Sequence, residues 1–236
     1  LGGRRSGGPA ARRSEATDRA GRAHAAQAAR ADGAHGKPPA RRTARPNDHF
    51  GAAAKAAGYP ARSVWKLEEI DRRLGLLRRG QRVLDLGAFP GAWTMYAARR
   101  VAPGGQVIGY DLQEFRGGLP PGAEIRTGDV FALDPGALGV FDMVLSDMAP
   151  STTGTRMADQ ARSHALFLQA LRLCESCLRP GGAFVGKLFQ GPDFEEARAA
   201  LRRLFRQSRV MKPEASRQES IEVFLVGLDR RPPGEA

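Results

Sequence analysis

Between Arg82 and Asp111 the chain runs through an apolar stretch, a glycine-rich turn, a helical pattern and a second apolar stretch. Two strands joined through a helix pair in parallel, with the helix packed on one face of the sheet. This unit constrains the fold more than any other segment. The alternation then continues along the chain. Strands are expected over Arg82–Leu86, Gln106–Tyr110, Glu124–Thr127, Phe141–Ser146, Ala183–Lys187, Arg209–Lys212 and Glu222–Leu228. Helices are expected over residues 61–77, Gly91–Val101, Asp159–Leu178 and Asp193–Phe205, the third of these stopping at Pro180-Gly-Gly182. The expected fold class is therefore α/β: a mostly parallel sheet with helices on both faces and a cleft beyond the carboxyl ends of the strands.

Residues 1–48 have a different character. They are rich in Ala, Gly and Arg, poor in large apolar residues, and hold a net charge of +7 out of the +12 of the whole chain. They read as a disordered tail, either an electrostatic arm for nucleic acid or a solvated extension. The globular pattern begins at His49. A pI near 10.8 points to a polyanionic partner, and without a basic amphipathic helix carrying large apolar anchors, nucleic acid is favoured over a membrane surface. No apolar run is long enough to span a bilayer, so a cytoplasmic protein is expected. Cys174 and Cys177 form a C-x-x-C, but no second ligand pair has zinc spacing, and both lie in a helical apolar pattern. They read as core residues, and no metal is expected.

Val83-Leu-Asp-Leu-Gly-Ala-Phe-Pro-Gly91 joins the first strand to its helix. Glycine there lets backbone approach a ligand closely. Asp111 ends the second strand, where a carboxylate can accept hydrogen bonds from the ribose hydroxyls of an adenosine. Asp129, after the third strand, could receive the adenine. The turn lacks the third glycine of a dinucleotide loop, which disfavours a pyrophosphate and a nicotinamide oxidoreductase. S-adenosylmethionine is a nucleoside ligand without phosphates.

Four charged residues border other elements: Lys66 in Arg62-Ser-Val-Trp-Lys-Leu67, Asp147 in Leu145-Ser-Asp-Met-Ala-Pro150, Lys187 ending Gly181-Gly-Ala-Phe-Val-Gly-Lys187, and Glu222 opening Glu222-Val-Phe-Leu-Val226. Two ammonium and two carboxylate groups around one glycine turn suit removal of a hydroxyl proton beside a cationic donor.

With these motifs, the chain resembles the RrmJ/FtsJ family of ribosomal RNA large-subunit 2′-O-methyltransferases, also called methyltransferase E. The resemblance covers about residues 47–230 and rests on Asp48-His-Phe-Gly-Ala-Ala-Ala-Lys55, Asp85-Leu-Gly-Ala-Phe-Pro-Gly-Ala-Trp93, Ser146-Asp-Met-Ala-Pro150, Gly186-Lys-Leu-Phe-Gln-Gly191 and Ser220-Ile-Glu-Val-Phe224. It implies a Rossmann-like methyltransferase fold with a seven-stranded sheet, and S-adenosyl-L-methionine as donor. It implies a Lys-Asp-Lys-Glu tetrad at Lys66, Asp147, Lys187 and Glu222, with Lys187 as proton acceptor. Donor-binding positions fall on Gly91, Trp93, Asp111, Asp129 and Asp147. The implied substrate is a uridine in the A loop of 23S ribosomal RNA within the large subunit, and the enzyme is expected to act as a monomer.

Two features depart from the family pattern. Ala92 replaces one of two glycines before the tryptophan, and Pro60-Ala-Arg-Ser63 stands where the family has Arg-Ser-Arg-Ala, losing one arginine from a segment that could face RNA. Phe50, Lys55, Tyr59 and Arg62 are candidates for stacking and phosphate contacts, although Phe50 and Tyr59 equally suit core packing. The tetrad is shared with relatives acting on transfer RNA or a messenger cap, so another RNA is a rival substrate. A non-catalytic RNA-binding assembly module is a second rival, opposed by the intact tetrad.

Overall fold

A computed structural model describes residues 48–151, 153–217 and 219–235. The expected disordered tail lies outside the described residues except for Asp48, which already opens a helix. The elements run α1 (Asp48–Ala56), α2 (Val64–Leu74), β1 (Arg82–Leu86), α3 (Ala92–Val101), β2 (Gln106–Asp111), β3 (Ala123–Thr127), α4 (Pro135–Leu138), β4 (Phe141–Ser146), α5 (Arg156–Cys177), β5 (Leu178–Phe189), α6 (Phe194–Leu204), β6 (Phe205–Met211) and β7 (Glu222–Arg230).

The seven strands form one sheet in the order β3-β2-β1-β4-β5-β7-β6. The first five strands pair in parallel, whereas β7 is antiparallel to both β5 and β6. Strand order turns back between β1 and β4, so the loops after these two strands diverge and open a crevice at their carboxyl ends. The reversal of β7 brings its first residue, Glu222, to the same end: Glu222 sits opposite Phe189, the last residue of β5.

Alternating side chains divide the core in two. Val83, Val107, Met143, Leu145, Val185, Phe224 and Val226 face α2 and α3. Leu84, Leu86, Ile108, Val144, Phe184 and Leu188 face α5 and α6. Cys174 and Cys177 are both buried on this second side. Burial pushes the Cys177 thiol up to about 11 and raises Cys174 well above its usual range, which favours inert thiols over reactive thiolates.

Several boundaries differ from the sequence expectation. The helix expected over residues 61–77 is the shorter α2. Gly75 ends it in a left-handed conformation, and the apolar pattern continues because Leu76 and Leu77 stay buried while their N–H groups donate to Asp71 Oδ1 at 3.0 and 2.8 Å. The third expected helix ends at Cys177, and Leu178 already pairs with Phe141 of β4, so Pro180-Gly-Gly182 forms an irregularity inside β5 and does not end the helix. Phe205, expected in the last helix, is extended and starts β6. Helices α1 and α4 were not expected.

Candidate active site

The four tetrad residues converge at the carboxyl edge of the sheet as two ion pairs. Lys187, in β5, donates from Nζ to the Asp147 carbonyl at 2.6 Å and to its Oδ1 at 2.9 Å. Lys66, on α2, places Nζ 2.5 Å from Glu222 Oε1, and Ser216 donates to the same oxygen at 2.9 Å. Register explains why they meet. Lys187 lies directly opposite Phe224, and Glu222 is two residues before Phe224, so all three project from the same sheet face. Asp147 follows β4 by one residue and shares parity with Leu145, which faces α2 and α3. Lys66 approaches from α2, its ammonium 5.8 Å from the centre of the Phe224 ring.

Both pairs are largely withdrawn from water: the Lys187 side chain is 8% exposed and those of Asp147, Lys66 and Glu222 are 11–15% exposed. Burial by itself would raise the Glu222 carboxyl. The Lys66 ammonium, the Ser216 hydroxyl and the more distant Lys187 charge outweigh it and hold the group below its usual range. Glu222 is therefore a fixed negative charge in this site.

Beside Asp147 opens a cavity of about 700 Å³. Asp111, Asp129 and Asp147 line it, at or just after the ends of β2, β3 and β4, together with Phe131, Met148 and Leu166; among the described residues no lysine or arginine does. Asp111 accepts the Phe89 N–H at 3.0 Å and the Gln113 N–H at 2.9 Å, one on each oxygen, and Asp129 accepts the Phe131 N–H at 2.9 Å. These bonds fix both carboxylates and leave lone pairs for a ligand. Gly87 has φ +78°, and a Cβ there would lie 2.8 Å from Met148, so glycine lets the turn after β1 pack against the loop after β4.

Gly91 and Trp93 do not line this cavity. Gly91, with φ +99°, starts α3 in a conformation that favours glycine. The Trp93 indole is buried, donates to the Ser63 carbonyl at 2.8 Å and packs 5.7 Å from Phe224, centroid to centroid. A contact from Trp93 to a ligand would thus come from its backbone N–H in the first turn of α3, where helix amides lack intrahelical partners.

Asp85, beneath the glycine turn, completes the acidic character. It is fully buried; Oδ2 accepts the Thr94 hydroxyl at 2.6 Å and Oδ1 has no partner among the described residues. Burial, opposed by Thr94 and reinforced by Asp147 and Asp111, pushes its pKa up to about 7. Three carboxyl groups on the wall of a roomy, partly apolar cavity fit a cationic nucleoside such as S-adenosyl-L-methionine. They would repel a polyphosphate.

Of the expected RNA contacts, Tyr59 is packed edge-on to Trp65 and lies under the Arg99 guanidinium, 4.4 Å from its ring centre. Phe50 carries Arg62 over its ring at 5.6 Å, and its carbonyl accepts the Trp65 indole N–H at 2.9 Å. Lys55 is exposed at the last turn of α1. Sequence reasoning missed Ser216 and the loop around it, because a loop serine carries no periodic signal and its role is set only by the reversal of β7. Among the described residues no group of His, Cys, Asp and Glu could hold a metal ion, and no helix is long and apolar enough to cross a membrane.

The sheet order, the acidic cavity and the paired tetrad define a Rossmann-like methyltransferase, and comparison with known proteins agrees. The FtsJ-like methyltransferase family matches residues 59–230. The chain is 54% identical over 191 residues to Ribosomal RNA large subunit methyltransferase E of Sorangium cellulosum (strain So ce56), covering 80% of this chain and 90% of that protein. It is 47% identical over 194 residues to the protein of the same name from Nitratidesulfovibrio vulgaris (strain DSM 19637 / Miyazaki F), covering 80% and 96%. A solved Plasmodium falciparum structure, described as a ribosomal RNA methyltransferase, has the same fold with a TM-score of 0.64 at 22% identity, covering 73% of this chain and 98% of that one. The chain belongs to the FtsJ-like methyltransferase family.

Proposed function

We propose that this protein methylates large-subunit ribosomal RNA on the 2′-oxygen of a uridine in the A loop, with S-adenosyl-L-methionine as donor. The observation that carries the reading is the Lys187–Asp147 pair at the edge of the acidic cavity, backed by the Lys66–Glu222 pair. Asp111, Asp129 and Asp147 would hold the donor, with the turn from Gly87 to Gly91 and the Trp93 N–H behind it. When bound, the donor supplies a methyl group on a cationic sulfur.

The residues of the chain handle the proton and the alignment. In the ion pair Lys187 is an ammonium; to act as acceptor it must first release one proton to solvent, and the neutral amine then has two N–H bonds and one lone pair. The two bonds from Lys187 Nζ to Asp147 use both hydrogens, leaving the lone pair for the ribose 2′-hydroxyl proton. The ammonium so formed stays beside the Asp147 carboxylate, which stabilises it. Lys66 and Glu222 neutralise each other and set the electrostatic field around Nζ. In-line transfer demands strict alignment, and the placement of the tetrad on α2, β5, β7 and the loop after β4 supports this reading.

Two experiments test the reading. Mapping 2′-O-methylation of ribosomal RNA in cells with and without this protein should show one uridine losing its mark; an unchanged map overturns it. For the proton acceptor, Lys187→Ala should lower single-turnover methyl transfer to large-subunit particles by roughly 10²–10⁴-fold while calorimetric donor affinity stays near wild type. A rate within a few-fold of wild type would remove Lys187 from the mechanism and leave alignment as the source of catalysis.

A further inference from the structure

A second cavity, of about 250 Å³, shares Lys66 and Glu222 with the tetrad but has the opposite electrical character to the first. Its charged lining is Arg62, Lys66 and Arg217 against the single carboxylate of Glu222, which Lys66 already neutralises at 2.5 Å. Cationic side chains thus outnumber carboxylates on this wall. Ser63 and Ser220 add hydroxyls to the wall. Ser63 occupies the N-cap position of α2, yet its side chain makes no capping bond, and the first turn of α2 contains no acidic residue. The positive end of the helix dipole thus adds to the cationic field without being offset locally.

The two arginines differ in role. Arg62 is a wall post: its guanidinium donates to the Ala215 carbonyl at 2.5 Å and lies over Phe50, fixing the loop against α2. Arg217 is exposed, and its guanidinium has no hydrogen-bond or ion-pair partner among the described residues. An arginine held at a cavity mouth with its fork unengaged suits a phosphate, which it can bind through two parallel N–H bonds.

We infer that this cavity is a subsite for a phosphate of the RNA chain beside the ribose being methylated, engaged by Arg217 and flanked by Arg62 and Ser63. The inference rests on the RNA methylation reading above. It divides the site between two charges: the acidic cavity takes the cationic donor, the basic cavity takes the anionic acceptor, and the tetrad lies between them. Each ligand is repelled by the other's cavity, so the two would sort themselves before any contact with the tetrad.

The test uses Arg217→Glu and Arg217→Lys in the full chain, with donor calorimetry as the control for an intact fold. In single-turnover assays on large-subunit particles, Arg217→Glu should raise the half-saturating particle concentration by roughly three- to tenfold with little change in maximal rate, and should lower the slope of log affinity against log salt by about one phosphate's worth. Arg217→Lys should recover most of that slope. A merely structural role for Arg217 would not move the salt slope. Wild-type values of half-saturation and slope for Arg217→Glu, or a loss confined to maximal rate, would overturn the subsite while leaving the methylation reading intact. Failure of the wild type to methylate ribosomal RNA at all would instead overturn the reading and the subsite with it. Calorimetry with inorganic phosphate alone separates the two sources of the anion: no binding below the millimolar range is expected, and tight binding would make a free phosphate ion the occupant and overturn the assignment.

Discussion

At the scale of single residues, the site places charges where water cannot screen them. Lys66 and Glu222 form a largely buried pair. Removing one partner from such a pair leaves the other charge uncompensated, at a typical cost of roughly 3 kcal/mol or more. Asp85 is the reverse case, a buried acid with one unpartnered oxygen. Its pKa rises from 3.8 in the unfolded chain to about 7 in the fold, with burial the largest cause. Between these values the folded protein keeps a proton that the unfolded chain has released. Stability therefore falls as pH rises through this window, by an amount on the order of a few kcal/mol. Asp85→Asn does not titrate there and can still accept from Thr94. Thermal melting without donor should show the variant gaining on wild type as pH goes from about 5 to about 8. A melting difference that stays constant over that range would contradict the assignment. Asp111 and Asp147 were legible in the sequence because each follows an apolar run, whereas Asp129 follows a weak, mostly polar strand. The packing of Trp93 was not, since an aromatic next to a glycine turn reads equally as ligand platform or as core.

At the scale of elements, α2 organises the Lys66–Glu222 side of the site. Lys66, Glu69 and Arg73 are spaced three and four apart and share one face of α2, with Arg62 in the turn just before the helix. Arg62 binds the Ala215 carbonyl, Lys66 binds Glu222, and Glu69 accepts the Glu214 N–H at 2.8 Å while Arg73 lies 2.7 Å from its other oxygen. This face holds the turn between β6 and β7 in place, and Ser216 of that turn bonds Glu222. Glu69→Gln should weaken the tether by about 1–3 kcal/mol. Hydrogen exchange at the Glu214 amide should accelerate, and methyl transfer should fall several-fold with donor affinity unchanged; wild-type exchange at Glu214 would show that the turn stands without α2. Sequence pattern revealed α2 through its buried Val64, Leu67 and Ile70. It did not reveal α1, whose fully buried residue is the small Ala54. It caught only the end of β6, because an edge strand exposes Arg206, Gln207 and Arg209 and so lacks an apolar run. Nor could it give the direction of β7, since a two-residue period reads the same both ways.

At the scale of the whole molecule, positive charge is distributed unevenly along the chain. Residues 1–47 contain 11 of its 37 lysines and arginines. Deleting them should leave donor binding unchanged, because the described fold begins at Asp48. Affinity for ribosomal RNA should drop and its salt dependence should become shallower, as fewer phosphates are neutralised. Equal affinity and slope before and after truncation would assign RNA binding to the folded part alone. The position of β7 has a consequence of another kind, in the order of assembly. In the sheet β6 pairs with β7 alone, and β7 follows it in the chain, so β6 has no place in the sheet until β7 has inserted beside β5. The same insertion delivers Glu222 to Lys66. The last strand pairing would thus act as a checkpoint. A chain caught with its sheet open already carries its glycine turn, Asp111 and Asp129, and could load a donor, but it has no completed tetrad with which to use it.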